Sequence, residues 1–379
     1  MTNKPQFVGE KVKLGAIVRA SSERNKGGRC DLVYSVTNSQ GFIPSEEYFS
    51  KEVFSKDLNT YRIVKRDMIA YNPSRINVGS VALQDKNDEV VVSPLYVVFS
   101  VDESKVAPGY VVRFLKSKPG LDQIAFQSIG TVRNNLKYKA LCQMELTLPS
   151  LSVQRDRLAN FVSIESQISQ SRKAIEQLDQ LVKSRFVEMF QNGDHVMRSM
   201  GDLVENIVAG TNIGGQQRPL EEGEYGVLKI SAVTKGVFDP REFKVVDDVS
   251  HIKMIHPRKG DLLFSRANTS EMVGATAIVD KDYEDLFLPD KLWRLDPADG
   301  VETIFLKALL SSPAIRAEVS KVSTGSSGSM QNISMAKFRK LPAFLPPLTL
   351  QQEFAAFVQQ VDKSRFAGQL SALRLTRYG

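Results

Sequence analysis

Leu148-Pro149-Ser150-Leu151-Ser152-Val153-Gln154-Arg155-Asp156 returns as Leu345-Pro346-Pro347-Leu348-Thr349-Leu350-Gln351-Gln352-Glu353, displaced by 197 residues. The outlying sequence repeats with it. Gly130-Thr131-Val132-Arg133-Asn134 recurs as Gly328-Ser329-Met330-Gln331-Asn332, a shift of 198 residues. Further upstream, Lys65-Arg66-Asp67-Met68-Ile69-Ala70 followed by Gly79 is echoed by Arg258-Lys259-Gly260-Asp261-Leu262-Leu263-Phe264 followed by Gly274. A period of about 200 residues is far beyond the units of a solenoid, which run to roughly 20 to 50 residues. The pattern is that of a whole domain duplicated in tandem together with its connector, and a chain of 379 residues has room for two such units.

Composition fits two ordinary globular units, with 42% hydrophobic and 25% charged residues. No apolar run reaches the 18 or so residues of a spanning helix, and the polar start Met1-Thr2-Asn3-Lys4-Pro5 lacks a secretory core, so a soluble cytoplasmic protein is expected, with no membrane partner. Cys30 and Cys142 form no Cys-x-x-Cys pair and read as reduced packing residues. The excess of 50 Lys and Arg over 43 Asp and Glu, a net charge of +7, permits a polyanionic partner without demanding one.

Residues 1 to about 148 read as short strands and turns, with strands at 32–36, 68–71, 78–83 and 90–101. The second unit, 195–344, repeats the style at 225–231, 261–264, 276–279 and 292–295, with helices at 301–311 and 315–322. Between the units, 149–194 holds the clearest helix, 152–190, with neither glycine nor proline inside it. Steps of seven from Phe161 give Ile168, Ile175, Val182 and Met189, and steps from Ile164 give Ser171, Leu178 and Arg185, which is a heptad seam. At about 1.5 Å per residue that helix is nearly 60 Å long, more than one small domain needs for its own core. The second unit ends in a shorter helix, within 345–379, whose stripe carries Phe354, Phe357, Val358, Val361, Phe366 and Leu370 and which Gly368 is expected to interrupt. The expected fold class is α+β: two tandem globular domains, joined and separated by long helices that pair as an antiparallel coiled coil.

Domain, long helix, domain, helix, with Leu-Pro-x-Leu-x-x-Gln opening each helix, resembles the specificity subunit of bacterial type I restriction-modification systems. The resemblance covers essentially the whole chain and rests on the ordered pair of segments, from Gly130 to Gln154 and from Gly328 to Gln351. It implies that each globular domain is a target-recognition domain reading one half of an asymmetric bipartite sequence in double-stranded DNA, and that the helices fix the gap. It also implies a subunit with no catalytic activity or cofactor of its own. Two methyltransferase subunits would use S-adenosylmethionine, and restriction subunits in the full complex would use ATP and Mg. A coiled-coil scaffold with duplicated binding domains is the alternative from another class.

The residues agree with a subunit that leaves chemistry to partners. Asn72-Pro73-Ser74-Arg75 lacks the second proline and the aromatic of an adenine methyltransferase motif and reads as a turn, and no Gly-x-x-x-x-Gly-Lys-Ser/Thr phosphate loop is present. His195, His251 and His256 are not spaced as metal ligands on one helical face and read as surface residues, so no metal site is expected. Arginine and lysine reach guanine edges or phosphates, and asparagine and glutamine reach adenine edges. Loops bearing these types nominate Arg24, Lys26, Arg29, Asn72, Arg75, Asn77, Arg133 and Asn134 in the first domain. In the second they nominate Lys229, Lys235, Arg266, Asn268, Gln331 and Asn332. Gly325-Ser326-Ser327-Gly328-Ser329 is expected to be an ordered loop beside the DNA.

Overall fold

The computed structural model of the protein describes residues 9–48, 57–128, 135–191, 193, 195–325 and 330–376. The chain divides into two compact units, residues 1–166 and 167–378. In chain order the first unit contains β1 (Glu10–Lys13), β2 (Val18–Ser21), β3 (Tyr34–Thr37), β4 (Gly41–Pro44), α1 (Ser45–Tyr48), β5 (Arg62–Lys65) and β6 (Ile69–Tyr71). It continues with β7 (Val81–Leu83), β8 (Glu89–Val92), β9 (Val97–Val101), α2 (Pro108–Lys116), α3 (Lys118–Gln127), α4 (Tyr138–Leu141) and β10 (Glu145–Leu148). Helix α5 (Leu151–Phe190) follows, its first 16 residues in this unit and the rest in the second.

The second unit adds β11 (Val196–Ser199), α6 (Met200–Leu203), β12 (Val204–Ala209), β13 (Tyr225–Leu228), β14 (Phe243–Val246), β15 (Leu262–Ser265) and β16 (Ala267–Asn268). Then come β17 (Thr276–Ile278), β18 (Leu286–Phe287), β19 (Leu292–Pro297), α7 (Thr303–Ser311), α8 (Pro313–Val322), β20 (Gln331–Asn332), α9 (Met335–Arg339), β21 (Pro342–Leu345) and α10 (Leu348–Thr376).

The same frame is built in both units. A four-stranded antiparallel sheet runs β2-β9-β6-β7 in the first and β12-β19-β15-β17 in the second. The opening strand of each unit pairs with the strand just before the long helix: β1 with β10, Glu10 opposite Leu148, and β11 with β21, Val196 opposite Leu345. Ile69, Tyr71, Val81 and Phe99 line one core, and Leu262, Phe264, Trp293 and Leu295 the other. What differs is carried between β2 and β6 and between β7 and β9 in the first unit, and between β12 and β15 and between β17 and β19 in the second. The first unit folds these stretches into a β3–β4 hairpin and a β5–β8 pair, the second into a three-stranded β14-β13-β18 sheet.

Strands make up most of the regular structure of residues 1 to 148, but the reading as strands and turns missed α2 and α3, which occupy 108–116 and 118–127. Pro108 starts α2 at a position where the missing N–H costs nothing, and the Ser117 hydroxyl caps α3 by accepting from the Gly120 N–H. Tyr110, Val111, Leu115 and Ile124 then enter the core. These helices are the first-unit counterparts of α7 and α8, whose capping Ser312 lies 195 residues after Ser117. The single strand expected over 90–101 is two: Pro94 has no N–H to give a ladder, Leu95 is 81% exposed, and β8 and β9 join different sheets.

Along α5 the partly covered positions recur as Phe161, Ile164, Ile168, Ser171, Ile175, Leu178, Val182, Arg185 and Met189, alternating steps of three and four. In the first unit Arg113 of α2 bridges to Glu165 at 2.6 Å and lies 5.1 Å from the Phe161 ring centroid. In the second unit the end of α5 meets the start of α10. Phe186 and Phe190 pack on Phe354 with ring centroids 5.7 and 5.4 Å apart, and Val182, Met189 and Val358 join the same core. Arg185 bridges to Glu353 at 2.9 Å and Asp179 to Arg365 at 2.6 Å. As the number on α5 falls, its partner on α10 rises, so these stretches run in opposite directions.

Two expectations about α10 are corrected. Gly368 does not interrupt it, since the helix runs through to Thr376. The stripe does not end in Phe366 and Leu370, which are 62% and 40% exposed; after Phe354, Val358 and Val361 the covered positions are Arg365 and Gly368. The histidines differ too: His251 is exposed, but His256 is half-buried with Nδ1 2.8 Å from the Leu286 carbonyl, and the His195 ring stacks on Phe344 at 5.3 Å. Cys30 is buried and Cys142 half-buried, and both are free.

Candidate nucleic-acid interface

Two fully buried glutamines fix the start of each long helix. Gln154 accepts from the Ala107 N–H at 2.9 Å and donates to the carbonyls of Lys105 at 3.1 Å and Pro149 at 2.8 Å. Gln351 does the same in the other unit, accepting from the Glu302 N–H at 2.9 Å and donating to Gly300 at 3.1 Å and Pro346 at 2.8 Å. One carboxamide therefore ties the helix, the strand before it and the loop leading into α2 or α7. Sequence reasoning quoted these glutamines as a motif and missed their task. The signal was there: a polar residue repeated inside an apolar motif has a buried partner to satisfy.

In the first unit the nominated residues fall into two groups. Arg24, Lys26 and Arg29 surround a turn held by Asn25, whose side chain donates to the Cys30 carbonyl and accepts from the Cys30 N–H. Arg24 donates to the Thr60 carbonyl at 2.7 Å. Arg29 is bound between Glu23 at 2.6 Å and Glu89 at 2.8 Å. Lys26 is exposed and has no ion-pair partner among the described residues. The second group is the turn after β6. Asn72 Oδ1 accepts from the Ser74 N–H and hydroxyl, Ile76 is buried beneath, and Gly79 closes the turn at φ +88°, a left-handed conformation open to glycine. That leaves Arg75 and Asn77 exposed on a rigid turn, Arg75 with no ion pair among the described residues. Leu136 returns to this turn, its N–H donating to the Pro73 carbonyl at 3.1 Å. Arg133 and Asn134 lie outside the described residues, as does most of the Gly325–Ser329 segment.

The second unit brings four of its six nominees together. β16 and β20 pair antiparallel, Ala267 opposite Asn332 and Asn268 opposite Gln331, so residues more than 60 apart in sequence form one ribbon. The Ile333 N–H donates to the Arg266 carbonyl at 3.0 Å, and Thr324 exchanges two hydrogen bonds with Asn332. Arg266 donates from Nε to the Asp290 carbonyl at 2.9 Å and from Nη2 to the Asp290 carboxylate at 2.8 Å. Lys229 and Lys235 sit elsewhere, around the turn at Ile230–Ala232. Lys229 is paired to Glu242 at 2.7 Å, while Lys235 is exposed without an ion pair among the described residues. The Lys229 bridge, with the Ser231 hydroxyl, lowers the Glu242 carboxyl below its usual range.

The same four-stranded frame is thus built twice, each followed by a long helix. Residues 192–371 match the family model of the type I restriction modification DNA specificity domain. The chain is 25% identical over 170 residues to the type I restriction enzyme EcoEI specificity subunit of Escherichia coli, a match spanning 43% of this chain and 28% of that protein. The fold is similar to the type I restriction-modification S subunit from M. genitalium, with TM-score 0.58 and 13% identity over 100% of this chain and 96% of that one. It is similar as well to a chain from work on complex assembly and conformational transition of the type I R-M system, with TM-score 0.55 and 17% identity over 98% and 95% of the two chains. Among the described residues no helix is long and apolar enough to cross a membrane.

Proposed function

We propose that this chain is the non-catalytic specificity subunit of a type I restriction-modification enzyme, and that each unit reads one half of an asymmetric bipartite duplex target. The observation that carries this reading is the duplicated frame with unlike insertions. The β2-β9-β6-β7 and β12-β19-β15-β17 sheets share one order, while the stretches between β2 and β6 and between β12 and β15 fold differently. A common frame with different loops is what reading two different half-sites with one docking geometry requires. The polar turns differ in the same sense, an exposed Arg75 in one unit and an amide-rich ribbon in the other.

The helices supply the rest of the proposal. α5 and α10 form an antiparallel coiled coil, with Phe161, Ile164, Ile168, Ile175, Leu178, Val182 and Met189 on one side and Phe354, Val358 and Val361 on the other. The pair sets the spacer and offers a docking surface to methyltransferase and restriction subunits. Residues 1–148 and 195–344 are the two target-recognition domains, 149–194 the central spacer and 345–379 its shorter partner. S-adenosylmethionine, ATP and Mg belong to the partner subunits. Two modules on one stiff connector engage a duplex together only at a matching separation, which yields affinity and spacing selectivity at once.

The test is to co-express the chain with a type I methyltransferase subunit encoded beside it and to map methylated adenines by single-molecule sequencing. A split, asymmetric motif is the expected outcome. A stable complex that methylates nothing, or a continuous motif, would overturn the bipartite reading.

A further inference from the structure

Arg266 is the one nominated arginine of the second unit, and Asp290 holds it by one edge. Nε and Nη2 are spent on the Asp290 carbonyl and carboxylate, at 2.9 and 2.8 Å. The backbone repeats the grip, since the Arg266 N–H donates to the Lys291 carbonyl at 3.1 Å. Asp290 is itself anchored, its N–H donating to the Thr211 carbonyl at 3.2 Å beside the Thr211–Pro289 bridge. A guanidinium has five N–H donors in a fixed fork. With Nε and one Nη2 hydrogen engaged, both Nη1 hydrogens and the second Nη2 hydrogen remain, and no described residue accepts from Nη1. The end of the fork is therefore open and rigidly aimed, the arrangement that serves bidentate recognition of two neighbouring acceptors. A second polar group at the same ribbon waits for a partner: Asn268 is more than nine-tenths buried and its Nδ2 has none.

We propose that Asp290 is a positioning residue for DNA recognition by the second unit, fixing Arg266 so that its free Nη1–Nη2 end meets a pair of acceptors on the duplex. This rests on the reading of that unit as a DNA reader. The acceptors are O6 and N7 of a guanine or two oxygens of a phosphate; their shared chemistry is two acceptors side by side. A carboxylate beside anionic DNA lowers affinity for duplex in general, so its worth lies in aiming the arginine. Where the acceptors are those of a guanine, removing it has opposite effects on affinity for random duplex and on discrimination, which no merely structural role would produce.

The experiment takes the full chain with its methyltransferase partner, a pool of randomised duplexes long enough for two half-sites, and the variants R266A, R266K, D290N and D290E. For a guanine contact, R266A, R266K and D290N each lower the preference at one base pair of one half-site about ten-fold or more. The other half-site is unchanged, D290N binds random duplex more tightly, and D290E restores the preference. For a phosphate contact the motif stays intact, and R266A reduces the slope of log affinity against log salt by about 0.9. D290N then weakens selected duplex while keeping the slope, and D290E recovers it. D290N and R266K indistinguishable from the unaltered chain in motif, affinity and slope would overturn the proposal. If D290N fails to fold, judged by Trp293 fluorescence, R266K decides alone, because lysine keeps the charge and loses the anchored fork. An unaltered complex that selects no motif overturns the DNA reading itself, a failure distinguishable from a motif that ignores Asp290.

Discussion

Gln154 and Gln351 illustrate how a single side chain sets local architecture. Each is wholly buried and satisfies one N–H and two carbonyls that no other described residue is seen to satisfy. Gln351→Leu keeps the volume but leaves those three backbone groups unpaired, so a loss of about 2 to 4 kcal/mol is expected. Trp293, the single tryptophan, lies in the core of the second unit and reports on that unit. In urea, Q351L should lower the midpoint of the Trp293 transition and Q154L should leave it in place; equal midpoints for all three proteins would mean that the carboxamides are dispensable. Glu224 is a second residue with a measurable signature. Arg218 grips both its carboxylate oxygens at 2.6 Å, and the Glu221 N–H adds a third hydrogen bond, pulling its carboxyl from the ordinary 4.5 down to about 2. Because the folded value is depressed, the stabilisation is present above pH 4.5 and is lost as pH falls through about 2. An NMR titration of this carboxyl should therefore find its midpoint near 2, and a midpoint in the usual carboxylate range would show that the bridge opens in solution.

At the level of elements, α10 carries a glycine that its packing does not need. A Cβ at Gly368 would meet Ile175 Cγ1 at 3.8 Å, an ordinary contact, with no other atom closer. Alanine is the better helix former by roughly 0.5 to 1 kcal/mol, so Gly368→Ala should raise thermal stability, read as an increased melting temperature by circular dichroism. A lowered melting temperature would mean that α10 lies closer to α5 than the contact implies. The heptad of α5 was legible in the sequence because a seam repeats every 3.5 residues whatever it packs against, and the covered positions match that count. Helices α2 and α3 were not, because their apolar residues lie among strand-like runs; only carrying the displacement back from α7 and α8 would have revealed them. The β16–β20 ribbon was hidden for a different reason. Two-residue strands have no periodicity, and Arg266 meets Asp290 only after β15 and β19 have paired, Phe264 opposite Trp293 and Ser265 opposite Leu292. Sequence named the residue types at these turns, but which cations are tied by carboxylates, such as Arg29 and Arg266, and which are open, such as Arg75, is a tertiary fact.

On the scale of the whole chain, the proposed function makes α5 a ruler, and a ruler is defined by stiffness rather than by sequence. A helix transmits both distance and orientation, because each residue adds about 1.5 Å and a fixed rotation. A Gly and Ser segment transmits neither, behaving as a coil whose ends sample many separations. Inserting seven Gly and Ser residues between Ser166 and Gln167 places the break at the boundary of the two units and upstream of the Asp179–Arg365 and Arg185–Glu353 bridges that join α5 to α10. Each half-site preference resides within one unit and should survive. The gap between half-sites should lose its fixed length, so that mapped methylation shows the same two half-motifs at a spread of spacings and at lower overall efficiency, since the effective concentration of the second module falls. If the inserted chain instead keeps one sharp spacing, the separation is set by something other than α5, and the partner subunits become the ruler.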